Sequence, residues 1–208
     1  MISSTNLRFA YSAKKTFSFP DIQCKDKETL LILGQSGKGK TTLLHLLALL
    51  LKPTSGDIMI AQKSVGNLSA EEATKVRAKN IGIIYQKPHF VSSLSVMDNI
   101  LLSNYLADQP QNKQKARLLA EKLSFAEHLN KKTSQLSQGE QQRVSIARSL
   151  MNDPNVILAD EPTSNLDDTN TQKVITLLKE QSASIGASLI VVTHDQRLKD
   201  EFSNQVFL

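Results

Sequence analysis

Cysteine occurs once in this 208-residue sequence, at Cys24, and tryptophan not at all. A lone cysteine excludes an internal disulfide. A chain of this length buries roughly 70% of the surface it exposes when unfolded, so folding needs neither crosslinks nor a structural metal, and a reducing, cytosolic setting is expected. Aromatic residues make up 5% of the chain. They offer few platforms for stacking bases, no nucleic-acid motif accompanies them, and no nucleic-acid partner is expected. Long apolar runs are also missing. The most apolar stretch, 43–51, is broken by His45 and falls short of the ~20 residues a membrane helix needs. The start, Met1-Ile-Ser-Ser-Thr-Asn, has no basic region followed by an apolar run, so no secretory signal is expected. If the protein works at a membrane, another chain must do the spanning. What charge there is sums to +5, a mildly basic balance that suits polyphosphate ligands and anionic surfaces.

Apolar runs alternate with helical patterns, which reads as α/β. Residues 29–33 form a short apolar run ending at Gly34, and 40–51 read as a helix that stops before Pro53. Residues 81–85, 156–159 and 188–193 are further apolar runs of strand length, apolar on both faces as buried parallel strands are. Between Met97 and Gln135 the pattern is helical, with Ala116, Leu119 and Leu123 on one face. This reads as a helical insert between two strand-bearing parts. The whole of 1–208 is expected to be one domain, with 1–86 and 152–208 as core and 87–151 as helical subdomain.

The segment Gly34-Gln-Ser-Gly-Lys-Gly-Lys-Thr41 fits G-x-x-x-x-G-K-[ST] between an expected strand and an expected helix. Glycines let backbone N–H groups turn toward phosphate oxygens, and the helix N-terminus adds partial positive charge. Gly34, Ser36, Gly37, Lys38, Gly39, Lys40, Thr41 and Thr42 are then expected to line a triphosphate, with Lys40 reaching the β- and γ-phosphates and Thr41 holding Mg²⁺. A second site element is Val156-Ile-Leu-Ala-Asp160-Glu161, an apolar strand ending in two carboxylates. Strand carboxyl ends face the ligand crevice of a parallel sheet. Asp160 is placed for Mg²⁺ and Glu161 for the attacking water.

Leu136-Ser137-Gln138-Gly139-Glu140-Gln141-Gln142-Arg143 precedes an amphipathic helix carrying Val144, Ala147 and Leu150. Ser137 and the Gly139 backbone thus sit at a helix N-terminus, which binds anions and which Ser137 also suits as an ordinary cap. The segment resembles the LSGGQ signature of ATP-binding-cassette (ABC) ATPases. With it, the order phosphate loop, Gln86, signature, Asp160-Glu161, His194 resembles that family's order over nearly the whole chain. Ile81-Gly-Ile-Ile-Tyr-Gln86 is similar to its Q-loop, Asp160-Glu-Pro-Thr-Ser-Asn-Leu-Asp167 to its Walker B segment and D-loop, and Val191-Val-Thr-His194-Asp to its switch-histidine segment.

The resemblance implies a P-loop NTPase-like, mostly parallel sheet core, an N-terminal antiparallel β part and an inserted helical subdomain. It implies ATP as substrate, with Tyr11 stacking on adenine. Gln86 joins Thr41 and Asp160 at Mg²⁺, and Lys40, Glu161 and His194 act at the γ-phosphate. Asp167 signals across a head-to-tail dimer, in which Ser137, Gln138, Gly139 and Glu140 of one subunit meet the ATP of the other. That dimer is a homodimer or a pair with a related ATPase. A membrane permease is expected to dock in the groove of the Q-loop and helical subdomain, with His89, Phe90, Val91 and Leu94 as candidate contacts. The protein then lies peripherally on the cytoplasmic face of the membrane.

Departures are Gln138 for a usual glycine, Glu140 for glutamine, Lys38 for serine and Lys27 for glycine. None removes a group the chemistry needs. Asn165 in the D-loop, Leu68-Ser69, Glu72 and Arg77, and the stretch from Leu94 to Ile100 resemble the lipoprotein-release, macrolide-export and cell-division group. Two other classes share the phosphate loop. Soluble ABC ATPases acting on nucleic acid or the ribosome carry two cassettes or long coiled-coil insertions, and this chain has neither. A phosphoryl-transferring kinase would have no use for the signature or His194.

Overall fold

The computed structural model describes residues 1–164 and 166–208. Asn165, on which part of the branch assignment rests, lies outside the described residues.

Two sheets sandwich one helix. The first is antiparallel and built around the long strand β1 (Ile2–Ser12), which pairs with β2 (Lys15–Ser18) and β3 (Ile22–Cys24) along one edge and with β5 (Ser55–Ile60) along the other, β5 in turn pairing with β6 (Lys63–Ser64). The second is wholly parallel, in the order β10-β4-β9-β8-β7, from β10 (Gln205–Phe207), β4 (Thr29–Leu33), β9 (Ser188–Thr193), β8 (Val156–Asp160) and β7 (Ile81–Ile84).

Period-2 alternation assigns the two faces of the parallel sheet to different cores. Leu30 and Ile32, Val156 and Leu158, and Ile190 and Val192 face one cluster with α1 (Lys40–Leu47) and the antiparallel sheet. Leu31 and Leu33, Ile157 and Ala159, and Leu189 and Val191 face the other, where α3 (Val96–Leu106), α4 (Lys113–Lys122), α5 (Gln138–Leu150) and α6 (Asp168–Ser184) pack. With both faces covered, the strands read as unbroken apolar runs. Ala116, Leu119 and Leu123 are buried on the inner side of the helical region, as their spacing requires.

The helix after the phosphate loop is shorter than the apolar pattern implies. It ends at Leu47, not Leu51. Leu49 turns into the left-handed region at φ 55°, and the N–H groups of Leu50 and Leu51 both fold back onto the His45 carbonyl. Arg77, from α2 (Ala70–Asn80), donates to the Leu49 carbonyl at 2.7 Å and holds the turn in place. A contact 28 residues distant in sequence sets this boundary, so local pattern misses it. The helix α2 itself is capped reciprocally by Ser69 and Glu72.

Gly82 in β7 is where the signature helix α5 meets the sheet. A Cβ there would lie 2.5 Å from the Ser149 carbonyl oxygen, at the C-terminal end of α5. The other near neighbour is the Pro154 ring, at 3.2 Å, so no flexible side chain is there to yield. Gly82→Ala is therefore expected to lower stability by about 1–3 kcal/mol, measured by urea unfolding. An unchanged midpoint would show that α5 slides freely over β7.

Candidate functional site

In-register parallel pairing fixes where the strands end. Leu33 pairs with Thr193, Asp160 with Val192 and Ile84 with Ala159. The segments that follow β4, β7, β8 and β9 therefore emerge side by side at one edge. Ser36, Gly37, Gly39, Lys40, Thr41, Thr42, Gln86, Asp160, Glu161 and His194 line a single cleft there, of about 540 Å³.

The phosphate loop takes its shape from Gly37 and Gly39, at φ 82° and 93°. Gly39 is also under the Phe17 ring, where a Cβ would approach to 2.7 Å. Lys40 opens α1 and is 8% exposed. Its ammonium donates to the carbonyls of Gly34 (2.7 Å) and Gln35 (3.1 Å) and lies 3.8 Å from Glu161 Oε1. These partners keep a buried charge satisfied. Gly34 and Lys38 belong to the loop without lining the cleft, and Lys38 is exposed.

Glu161 sits at φ 46°, the left-handed region, while its own N–H stays bonded to the Val192 carbonyl at 2.8 Å. That backbone costs a non-glycine residue about 1–3 kcal/mol. It turns the chain at the end of β8, and the carboxylate meets three groups. Thr193 Oγ1 donates to Oε2 at 2.7 Å, the His194 N–H donates to the same oxygen at 3.3 Å, and His194 Nδ1 lies 2.8 Å from Oε1. A carboxylate accepts, so Nδ1 donates to it, and Nε2 on the opposite ring edge is not engaged by Glu161. His194 thus orients Glu161 besides lining the cleft, a role its sequence position does not disclose.

Asp160 faces Thr41, whose hydroxyl lies 3.5 Å from Oδ2, while Oδ1 is buried without a partner. Burial, and then the neighbouring Glu161 charge, push the Asp160 carboxyl above its usual range. An orphaned carboxylate oxygen beside a hydroxyl is a donor set for a hard cation, with Gln86 on the same cleft. No group of three or more His, Cys, Asp and Glu that could hold a metal occurs among the described residues. Few protein oxygens, with phosphates and waters for the rest, is how Mg²⁺ is usually held, so the residues fit it.

Tyr11 is 52% exposed, and its hydroxyl lies 3.3 Å from Thr42 Oγ1. Its ring meets Phe9 and Phe17 edge-on, at 4.7 and 6.3 Å, and Lys15 Nζ lies 5.3 Å from its centroid. Lys15 and Phe17 line the cleft as well. They escape sequence reading because the β1–β2 hairpin, not a motif, delivers them.

Ser137, Gln138, Gly139, Glu140 and Asp167 do not line this cleft. Ser137 caps α5 in a reciprocal box. Its hydroxyl and N–H donate to Glu140 Oε2 at 2.6 and 2.7 Å, and the Glu140 N–H returns to Ser137 Oγ at 3.4 Å. His128 Nε2 lies 2.6 Å from the other Glu140 oxygen. Glu140 is therefore built into the N-terminus of α5, and Ser137, Gln138 and Gly139 stand exposed around it. A Cβ on Gly139 would meet only Arg143 Nη1, at 3.7 Å. Nothing in this copy requires glycine there. Asp167 caps α6 through the Asn170 N–H at 2.8 Å.

A second groove, of about 470 Å³, opens between α2, β7, α3 and α5, lined among others by Ile81, Tyr85, His89, Leu102, Leu106 and Arg148. Of the four contacts expected for a membrane partner, His89 lines it. Phe90 packs under the Arg148 guanidinium at 5.0 Å, and Val91 is exposed beyond it. Among the described residues no helix is long and apolar enough to cross a membrane.

The family model described as ABC transporter matches residues 19–164. A lipoprotein-releasing system ATP-binding protein LolD of Saccharophagus degradans is 38% identical over 189 residues, which cover 90% of this chain and 82% of that protein. LolD of Pseudoalteromonas translucida is 40% identical over 190 residues, with the same coverage of 90% and 82%. Among solved structures, the dimeric bacterial ABC transporter cassette MJ0796 superposes over 100% of this chain and 94% of its own, with TM-score 0.88 and 31% identity. Its dimeric post-hydrolysis state bound to ADP and Pi matches with TM-score 0.88 and 30% identity.

The bonds from Ser137, and then from His128, hold the Glu140 carboxyl at about 2, below the usual 4.5. A depressed carboxyl stabilises the fold above its unfolded value, and the contribution is lost as pH falls toward the folded one. The stability difference between the native chain and Glu140→Gln is thus expected to be constant above pH 4.5 and to shrink as pH falls toward 2. Urea unfolding at stepped pH reads it, and a difference independent of pH would contradict the box.

Proposed function

We infer the working cycle of this chain from one premise: it belongs to the ABC transporter family, as an ATP-binding subunit that hydrolyses ATP. Two copies, or one copy and a related ATPase, close head to tail over two ATP molecules, and hydrolysis reopens them. The observation that carries this reading is the pair of incomplete surfaces. One cleft gathers the groups that grip a triphosphate. The exposed N-terminus of α5 presents Ser137 and a glycine for which its own chain has no use. A glycine without an internal reason fits a backbone approached from outside.

Beside the cleft, where its hydroxyl lies next to Thr42, the Tyr11 ring takes the adenine. Lys40 and the loop amides neutralise phosphate charge as it shifts toward the leaving oxygen. Lys40 is already deprived of water, so it needs little reorganisation to exchange the Gly34 and Gln35 carbonyls for phosphate oxygens. Thr41, Asp160 and Gln86 would hold Mg²⁺, which would supply further positive charge against the triphosphate. Glu161, fixed by Thr193 and His194, orients the attacking water and accepts its proton. His194 contacts the γ-phosphate through the ring edge that Glu161 leaves open. From the partner copy, Ser137 and the α5 N-terminus, with Gln138, Gly139 and Glu140 around it, close over the γ-phosphate. Asp167 reports closure across the interface.

The groove beside Tyr85 and His89 receives a segment of a membrane permease. It is mostly apolar in lining, opens next to exposed Tyr105 and Leu106, and adjoins Gln86 in sequence. Closing the dimer moves this groove and so does work on the partner, with the chain lying peripherally on the cytoplasmic face of the membrane. Similarity to LolD proteins favours lipoprotein release as the task.

Glu161→Gln keeps the shape of the cleft and removes the proton acceptor. The variant is expected to bind ATP, to hydrolyse it roughly 10²–10³-fold more slowly and to accumulate as a dimer in ATP, read by phosphate release and sedimentation. Normal turnover would exclude Glu161 from the water's activation.

A further inference from the structure

Arg197 belongs to none of the motifs above, yet it holds two of them together. It lies in the helical turn Gln196–Glu201 that follows His194. Its Nε and Nη2 grip the Asp195 carboxylate at 2.9 and 2.7 Å. The remaining edge of the guanidinium reaches across to the segment after Walker B. There Nη1 pairs with Asp168 at 2.5 Å, and Nη1 and Nη2 lie 3.4 and 3.3 Å from the Leu166 carbonyl. Leu166 and Asp168 flank Asp167 on both sides.

The other end of this linkage is the catalytic carboxylate. Asp195 also accepts from Thr163 Oγ1 at 3.2 Å, and its N–H donates to Thr193 Oγ1 at 3.0 Å. That hydroxyl in turn donates to Glu161 Oε2 at 2.7 Å. One hydrogen-bonded path therefore runs Glu161, Thr193, Asp195, Arg197 and on to the Leu166 carbonyl and the Asp168 carboxylate, one on either side of Asp167. Bonding to the two carboxylates holds the Arg197 guanidinium well above its ordinary range, and the Asp195 carboxyl below its own. Only a planar fork with several donors serves both sides at once. A lysine ammonium has the charge without that reach.

We propose that Arg197 is a positioning residue that fixes the D-loop relative to Glu161 and His194, so that Asp167 is presented to the second copy only when the hydrolytic carboxylate is in place. The proposal rests on the dimer reading given above and names the residue that couples interface to chemistry within one chain.

The test is a double-mutant cycle of Arg197→Ala and Asp167→Ala, with Arg197→Lys as the conservative variant. A fluorescent ATP analogue reads binding, phosphate release reads kcat and KM, and sedimentation in ATP reads dimerisation. Arg197→Ala is expected to leave nucleotide affinity within twofold and to lower kcat by about ten- to a hundredfold, the scale of a misplaced catalytic geometry. It is also expected to raise the ATP concentration needed for dimerisation, with the double variant no worse than the poorer single one. Arg197→Lys should recover only part of kcat. Unchanged kcat and dimerisation in Arg197→Ala would overturn the proposal. So would losses that multiply in the double variant, or a loss confined to nucleotide affinity. If Asp167→Ala alone leaves dimerisation and kcat intact, the role of Asp167 at the interface fails as well. A defect in Asp167→Ala without one in Arg197→Ala rejects only the linkage. Arg197→Lys, which keeps the charge, guards against a fold that fails when two acidic residues are left facing each other. If it too is unstable by thermal unfolding, Arg197 is a structural brace and the proposal is wrong.

Discussion

The in-register parallel pairing of β4, β9 and β8 is the constraint on which the site depends. Strands starting and stopping together bring the phosphate loop, Asp160-Glu161 and Thr193-His194 out at one edge, although they are distant in sequence. A slip of one residue in any of these ladders would reverse which face each side chain takes. Two apolar cores, one per face of the sheet, penalise such a slip. The hydrophobic effect thus fixes a polar site by fixing strand ends.

Charge is arranged economically at that edge. Lys40 is buried and would be costly alone, yet it has two carbonyls and Glu161 within 4 Å. Glu161 is held in a left-handed backbone and by donors from Thr193 and His194. Asp160 keeps a buried oxygen with no partner. An electrostatic gap of that kind suits a cation and phosphates, whose arrival completes it. The strain and the gap sit at the place where chemistry is expected, which is where proteins store them.

Much of this was legible in the sequence because the chemistry is written in short motifs joined to strong apolar periods. Thr29–Leu33 and Ser188–Thr193 are strands as their composition requires. The phosphate loop, the carboxylate pair and His194 converge as the parallel sheet implies. Other features depend on contacts that no local pattern carries. The early end of α1 follows from Arg77 capping Leu49. Phe17 and Lys15 enter the cleft through a hairpin of the antiparallel sheet, whose strands are short and weakly patterned. The bond from His194 to Glu161 and the reach of Arg197 depend on rotamers and on a backbone turn at Glu161. The capping box of Ser137 and Glu140 was legible as a helix start, but the His128 contact that completes it was not.

The central claim is that the α5 N-terminus of one copy completes the phosphate cleft of another. Disulfide trapping tests it most directly, because Cys24 is the only cysteine and is buried. In a Cys24→Ser background, Ser36→Cys in the phosphate loop and Ser137→Cys at the signature would be combined in one chain and oxidised with and without ATP. The account predicts a covalent dimer that forms in ATP and not in its absence, and that neither single-cysteine chain forms. A link between the two positions within a single chain, or trapping indifferent to nucleotide, would contradict it.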